Sequence, residues 1–240
     1  MKIFLKLVTF FALFTTSLVA LAEVSGQLGA NTSHVRRGVE LGNETAYYGA
    51  IQFDLAGLSF GATVVDTSGD GEQDYICCNI PVLQGQPGDL TETTFNVGYD
   101  ITIGQLDVAL GYLQRENSWL FDNAPQGFDG DVDTSEFSAS INLQGIALTY
   151  IDGDVKDNPS NYEEILLGYT VGNTQISLGD VTVHTGLGDE SSWKYYEIST
   201  GSQVWGLDLS ATLTGIISAE EPLQDQKPSL VIGLSKSLSL

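Results

Sequence analysis

The chain has 240 residues, in which 31 acidic side chains outnumber 9 basic ones and give a formal net charge of −22. A strongly negative protein repels polyanions, so nucleic-acid partners are not expected. The mean hydropathy of +0.04 is too low for a bundle of membrane-spanning helices. It suits a chain whose apolar and polar residues face opposite sides of a barrel wall.

The N-terminus has the pattern of a secretory signal peptide. Two lysines precede an apolar stretch over residues 7–14, and small residues follow at Ala20-Leu21-Ala22. This order of charged, apolar and small residues predicts cleavage before Glu23. A membrane anchor is the alternative, but it needs about 20 uninterrupted apolar residues. Residues 1–22 are therefore predicted to be a cleaved signal peptide, and residues 23–240 a single mature domain.

Six times along the mature chain, two alternating apolar and polar segments of roughly ten residues meet at a tight turn. Pairs such as Ala56-Gly57, Gln144-Gly145 and Gly172-Asn173 form the turns, and longer acidic loops separate one hairpin from the next. A strand of about ten residues tilted by about 45° spans about 23 Å, close to the height of an outer-membrane apolar band. The pattern predicts an all-β fold, an antiparallel up-and-down transmembrane β-barrel of about twelve strands. Its short turns are expected to be periplasmic and its longer loops extracellular.

Apolar residues recur at every second position along each predicted strand. The first strand runs from Val24 to Ala30, a loop around Arg36 to Asn43 follows, and the closing strand spans Leu230 to Leu240. A soluble β-sandwich alternates in the same way. Strands longer than the usual length of about five or six residues, with no Pro in their cores, favour the barrel. The predicted outward set includes Phe53, Val97, Leu110, Ile141 and Leu167.

Three details refine this pattern. The apolar parity switches within the strand that contains Gly179, which predicts a β-bulge near that residue. In the closing strand Lys236 shares the outward parity of its apolar neighbours, and its stem is expected to reach the membrane interface. Trp193, Trp205 and Tyr196 lie near predicted strand ends, which is typical of aromatic girdles.

The inward parity collects small and polar residues, with more carboxylates than bases. Carboxylates that line a narrow lumen concentrate cations and repel anions. Arg115 is the base at an inward position and Arg37 is a second candidate, too few to neutralise the carboxylates. We therefore expect the lumen to prefer cations. The predicted pore-lining residues are Asp54, Glu92, Asp100, Asp107, Arg115, Glu136, Glu164, Glu197 and Asp208.

Residues with catalytic or metal-binding chemistry are few. The two histidines, His34 and His184, lie near predicted loop edges without a local Ser partner, so no catalytic residue is expected. The adjacent Cys77 and Cys78 have no further Cys or nearby His to complete a zinc site. Segment 66–74 resembles a Ca²⁺-binding loop without its bidentate Glu, so a solvated acidic loop is favoured. No cofactor or metal is expected.

Both ends of the mature chain resemble known outer-membrane proteins. The closing segment Leu230–Leu240 is similar to the terminal β-signal strand of such proteins, although Leu240 replaces the usual aromatic residue. The opening segment Val24–Val39 resembles the TorF-type porin family of Gram-negative bacteria, with Arg36 in place of an aromatic residue. The pairs Gly98-Tyr99 and Gly168-Tyr169 fit the same family. This resemblance implies a small outer-membrane barrel with porin activity.

The prediction is a porin-like barrel of the bacterial outer membrane that allows passive diffusion of small solutes, with both termini in the periplasm. Its expected partners are outer-membrane lipid, the outer-membrane insertion machinery, which reads the C-terminal strand, and small solutes. The alternatives are a closed or plugged barrel with a structural or surface-interaction role and, less favoured, an outer-membrane enzyme. Twelve strands fall between filled eight-stranded barrels and open sixteen-stranded porins. The sequence leaves the natural substrate and the oligomeric state open.

Overall fold

The computed structural model of the chain describes residues 22–42, 44–67, 89–120, 133–156, 160–184, 190–219 and 227–239. Several predicted features lie outside these residues. They are the signal peptide apart from Ala22, the Cys77-Cys78 pair, most of the acidic segment 66–74, and the C-terminal Leu240. These features stay predictions.

The described residues form fourteen β-strands, of which two are short. None of these residues belongs to a helix long and apolar enough to cross a membrane. The strands are β1 (Ala22–Asn31), β2 (His34–Arg36), β3 (Val39–Gly42), β4 (Ala46–Leu55), β5 (Leu58–Thr67), β6 (Asp89–Ile103), β7 (Leu106–Leu120), β8 (Thr134–Leu143), β9 (Ile146–Val155), β10 (Asn161–Val171), β11 (Thr174–His184), β12 (Glu190–Val204), β13 (Leu207–Ala219) and β14 (Ser229–Ser239).

The twelve long strands close into one antiparallel barrel, in the order β1-β14-β13-β12-β11-β10-β9-β8-β7-β6-β5-β4. The last strand, β14, pairs with the first, so the sheet has no free edge. This closure confirms the predicted up-and-down barrel and excludes the sandwich. Within the barrel, tight turns join five pairs of consecutive strands, rather than the predicted six. The strands β14 and β1 pair without a turn, because they come from opposite ends of the chain.

The tight turns have the backbone conformation that closes β-hairpins. In three of them both central residues have positive φ, namely 50° and 87° at Ala56-Gly57, 53° and 88° at Gln144-Gly145, and 52° and 75° at Trp205-Gly206. Such turns match the twist of the strands that they join. The tight turns lie at the barrel end where β1 begins and β14 ends. We call it the short-turn end, and the opposite end the loop end.

The outer wall of the barrel is apolar and exposed. Leu110 and Leu167 each keep 46% of their surface exposed. Their neighbours at the inward positions, Ala109 and Gly168, are small. Large apolar side chains continue around the wall on every long strand. A soluble monomer does not expose a continuous apolar belt of this kind, so the wall requires apolar surroundings.

The segment between β1 and β4, predicted as a loop, forms a short hairpin that folds into the barrel lumen. Strands β2 and β3 pair around Arg37-Gly38, where φ is 52° and 80°. Val39 and Leu41 are only 5% and 7% exposed, because they pack against inward side chains of the wall. We call His34–Gly42 the inner hairpin. Burial of its apolar side chains favours its place inside the barrel.

The inner hairpin also explains the change of apolar parity within β11. Val181 and Val183 point into the lumen and are buried in the apolar cluster that includes the inner hairpin. Strand β11 keeps a continuous register with both neighbours across Gly179, so the predicted bulge there is wrong. A register shift does occur in the wall, but between β12 and β13, beside Lys194 and Tyr195.

Two side chains predicted at the membrane interface behave differently. Trp193 is only 9% exposed and packs inside the barrel with the inner hairpin, so its assignment to an aromatic girdle is wrong. Lys236 faces outward as predicted, and its Nζ donates to the carbonyl oxygen of Gly206 at 2.5 Å. The ammonium group of Lys236 therefore reaches the short-turn end.

Candidate solute path

The inner hairpin crosses the lumen near the loop end. Its apolar residues pack on one side against β9, β10, β11 and β12. On the other side Ser229 Oγ donates to Glu40 Oε2 at 3.2 Å, and Gly42 lies against the side chain of Thr67. Contacts with opposite walls narrow the lumen at this level.

Three arginines and three glutamates lie between the inner hairpin and the wall, the glutamates and Arg115 buried and Arg36 and Arg37 partly buried. Arg36 Nη1 donates to Glu92 Oε2 at 2.9 Å. Arg115, which belongs to β7, lies 3.3 Å from Glu92 and 2.6 Å from Glu136. These contacts tie the inner hairpin to β6, and through Arg115 to β8. We call Arg36, Arg37, Arg115, Glu92, Glu136 and Glu164 the charge cluster.

Arg37, at the tip of the inner hairpin, contacts two buried glutamates of the wall. Its Nε donates to Glu164 at 2.6 Å and its Nη2 lies 3.2 Å from Glu136. The guanidinium also lies 4.9 Å from the centre of the Tyr162 ring, a cation–π contact. Burial lowers the pKa of Arg37, but the charges of Glu164 and Glu136 outweigh it and raise the pKa well above its ordinary value. Arg37 therefore stays charged.

Tyrosine hydroxyls complete the polar contacts of the buried glutamates. Tyr162 Oη donates to Glu136 Oε1 at 2.6 Å, and Tyr195 Oη donates to Glu164. The indole Nε1 of Trp193 donates to the Arg37 carbonyl oxygen at 3.0 Å. Because these carboxylates have both cationic and neutral donors, the tip of the inner hairpin is held in one place.

The Tyr195 ring lies directly over Gly179 of the neighbouring strand, and a Cβ at Gly179 would overlap it. We expect Gly179→Ala to lower the free energy of unfolding by about 1–3 kcal/mol, because the ring must move away from Glu164. Urea-dependent unfolding in lipid vesicles measures the loss. The matched control is Gly168→Ala, whose Cβ would meet no heavy atom closer than Ala147 Cβ at 3.6 Å. Equal losses in both variants would contradict this account.

All nine predicted pore-lining residues occupy strand positions that alternate with the outward apolar ones. Four of them, Glu92, Arg115, Glu136 and Glu164, meet in the charge cluster. The three glutamates among them each contact at least one arginine, so an uncompensated charge can come only from the remaining carboxylates. A role of these residues in conduction stays a prediction.

The other five predicted residues lie apart from the charge cluster, toward the short-turn end. Among the residues that the structure describes, no Lys or Arg forms a salt bridge with them. The side-chain donors seen for four of them are neutral. Asp54 accepts from Gln52 at 2.9 Å, Asp107 from Thr102 at 2.8 Å, Glu197 from Ser199 at 3.2 Å, and Asp208 from Ser237 at 2.8 Å.

The lumen keeps free volume beside one of these carboxylates, Asp208. A recess of about 430 Å³ lies along the wall formed by β4, β1, β14, β13 and β12. Most of this wall lies away from the strands that pack against Val39 and Leu41. No residue of the inner hairpin lines the recess, whose lining includes Asn173, Gln203 and Asp208 near the short turns.

Sequence reasoning missed Arg36, Tyr162 and Tyr195 as members of this site. A signal was present, because large aromatic and β-branched residues share the inward parity of β10, β11 and β12. Inward bulk on neighbouring strands predicts an object inside the barrel, since a water-filled lumen does not favour such side chains.

The histidines take two different positions. His34, predicted at an exposed loop edge, instead has a side chain only 14% exposed, with Nε2 3.6 Å from Glu92 Oε2. His184 lies at the end of β11, with Nδ1 3.2 Å from Glu190 Oε1. Neither contact is that of a base on a hydroxyl or thiol nucleophile. Within the described ranges, no group of three or more His, Cys, Asp and Glu is arranged to hold a metal ion.

The sequence matches no protein-family model, and no curated protein is significantly similar to it. The fold is similar to that of an outer membrane channel from Pseudomonas putida F1, with a TM-score of 0.51 at 11% identity over 91% of this chain and 94% of that one. Outer membrane phospholipase A from Escherichia coli aligns at a TM-score of 0.45 and 12% identity, over 92% of this chain and 96% of that one. OmpT of Vibrio cholerae with loop L8 deleted aligns at a TM-score of 0.44 and 12% identity, over 90% of this chain and 99% of that one. The first similarity concerns the fold alone, and the two lower scores support no argument.

Proposed function

We propose that this protein is a channel of the bacterial outer membrane through which small solutes diffuse passively, with a preference for cations. The observation that carries the proposal is the closed barrel, whose outer wall is apolar and exposed. Toward its short-turn end the lumen holds carboxylates that form no salt bridge with a Lys or Arg of the described residues. Closure of the barrel pairs the backbone N–H and C=O groups of every strand, so no edge is left open. The apolar outer wall suits contact with lipid. The resemblance to the TorF-type porin family agrees with this function, and the proposal includes no catalytic role.

Cation preference depends on carboxylates that no base compensates. We expect that neutralising Asp100 and Asp107 together, as Asp→Asn, lowers the ratio of cation to anion permeability, because these residues contribute to the negative field of the short-turn half. The effect is expected to be largest at low salt, where screening is weak. Reversal potentials in planar bilayers under a salt gradient give the ratio. An anion preference in the unmodified protein would refute the proposal.

A second candidate function is that of a plugged barrel with a structural or surface-interaction role. The observation that favours it is the inner hairpin, which contacts opposite walls and is held by the charge cluster. The recess supports the channel, because it keeps part of the lumen free of side chains toward the short-turn end. Single-channel recording separates the two candidates, since a plugged barrel gives no discrete current steps.

The proposed orientation places the short turns and both termini in the periplasm, after export by a signal peptide and insertion through the C-terminal strand. Single-chain barrels of the outer membrane have short periplasmic turns and longer outer loops. In a chain whose Cys77 and Cys78 are replaced by Ser, we expect Gly145→Cys, at a short turn, to escape a membrane-impermeant maleimide in intact cells, whereas Asp157→Cys reacts. The reverse pattern of labelling would reject this orientation.

A further inference from the structure

The recess combines an aromatic ring, a carboxylate and several neutral hydrogen-bonding groups. Its volume of about 430 Å³ lies within the range of about 300–1,000 Å³ that is typical of small-molecule pockets. The side chains come from strands on both sides of the seam between β1 and β14, so the closed barrel assembles them. The lining includes Gln27, Tyr48, Gln203, Asp208 and Ser235.

Asp208 supplies the charge of the recess. Its carboxylate accepts from Gln203 Nε2 at 3.2 Å and from Ser237 Oγ at 2.8 Å. An ionised carboxylate offers about four lone-pair sites, so it keeps the capacity to accept from a bound molecule. Both observed donors are neutral, and the charge of Asp208 is therefore not balanced by them. A ligand with an ammonium group would make the charge-assisted hydrogen bonds that such a carboxylate favours.

Tyr48 supplies an apolar surface beside that charge. Its ring lies over Gly29, where a Cβ would come within 2.5 Å of Tyr48 Cζ. The glycine thus lets the ring lie close to the wall at the edge of the recess. Aromatic rings in this setting offer an apolar body and a polar tip. The C–H face of a saccharide ring presents a matching apolar surface.

Amide and hydroxyl groups surround the ring and the carboxylate. Gln27 Nε2 donates to Ser235 Oγ at 2.9 Å, which leaves the amide oxygen of Gln27 able to accept. The amides of Gln27 and Gln203 carry both donors and acceptors, as do the hydroxyl groups of a sugar. A purely apolar ligand would leave these groups unpaired at a cost in free energy, and an anion would oppose Asp208.

We propose that the recess binds a small polyhydroxylated cation of the amino-sugar class. The ammonium group pairs with Asp208, the ring face lies on Tyr48, and hydroxyl groups bond to Gln27 and Gln203. This inference deepens the proposed function and rests on it, since in the cell the solute reaches the recess through the lumen. A site of this kind selects one class of cation, whereas a general negative field attracts all cations.

Isothermal titration of the full barrel in detergent with glucosamine at pH 6 tests the proposal. We expect saturable binding, a weaker affinity for glucose, and a loss of about tenfold or more in affinity for glucosamine in Asp208→Asn, because a charge-assisted hydrogen bond is removed. Tyr48→Leu is expected to weaken both sugars. Asp154→Asn, which removes an exposed charge outside the recess, is expected to leave binding unchanged. The electrophoretic shift between folded and heated protein confirms that each variant is folded.

The titration is independent of conduction, so the two proposals fail separately. The absence of glucosamine binding by the wild-type barrel, or equal affinities of wild type and Asp208→Asn, would overturn the amino-sugar site even if the barrel conducts. Binding that depends on Asp208 in a barrel without current steps would support the site and refute the channel.

Discussion

Replacing residues 33–42 by a short Gly-Ser linker is expected to raise single-channel conductance severalfold. The inner hairpin spans the lumen near the loop end, where Val39 and Leu41 pack on one side and Glu40 reaches Ser229 on the other. Asn31 and Ala46 are direct partners in the sheet, so a short linker can join β1 to β4 without altering the wall. Planar bilayer recordings of both proteins under the same salt measure the difference.

A point variant tests whether the ion pairs of Arg37 keep the inner hairpin in place across the lumen. Arg37→Ala removes the ion pairs to Glu164 and Glu136 and leaves two carboxylates with fewer donors, a change that costs about 3–5 kcal/mol when a buried pair is broken. We expect transient current steps larger than those of the wild type. Lys156→Ala, which breaks an ion pair with Asp133 at a strand end, serves as the control with unchanged current. A folded barrel without the hairpin that conducts like the wild type would show that the restriction lies elsewhere.

Arginine on the lipid face is expected to have the second large effect. Leu110 faces outward and is 46% exposed, so Leu110→Arg places a charge in the apolar band at a cost of about 2–4 kcal/mol. Folding of the purified protein into lipid vesicles at increasing urea measures the free energy. The loss is expected as a lower urea midpoint with the same slope.

The neighbouring position supplies the matched control for the same substitution. Ala109 faces the lumen and lies opposite Asp100 in the register of β6 and β7, so an arginine there can pair with that carboxylate. We expect Ala109→Arg to cost under about 1 kcal/mol, because lumen positions tolerate charge. A similar cost at both positions would mean that both faces of β7 are packed, which contradicts a lipid-facing wall.

The wall of the barrel could be predicted from the sequence because each strand repeats a period of two. Within its own strand, each of Phe53, Val97 and Ile141 belongs to a row of apolar residues at every second position. Turn residues such as Ala56-Gly57 mark where one strand ends and the next row begins. Local geometry links this pattern to an apolar outside, and the number of repeats sets the number of strands.

The content of the lumen could not be predicted in the same way. Val39 and Leu41 alternate like a short strand, but nothing local shows that they fold inward. Their partners, Val181 and Val183, are some 140 residues further along the chain. The parity switch in β11 records that contact, yet a bulge produces the same pattern in sequence. The pairing of Arg37 with Glu164 is also nonlocal, because the two residues are 127 positions apart in sequence.

The seam between β1 and β14 has a consequence for how the chain assembles. Gln27 and Ser235 meet across it although they are 208 residues apart in sequence, and contacts between such distant residues form slowly. The inner hairpin follows β1 directly and binds β6 and β10 through Glu92 and Glu164. Its apolar residues pack against β9, β10, β11 and β12 as well. The inner hairpin, like the seam, therefore reaches its final contacts only when strands from both halves of the chain have come together, so the slow long-range steps concern the lumen as well as the wall.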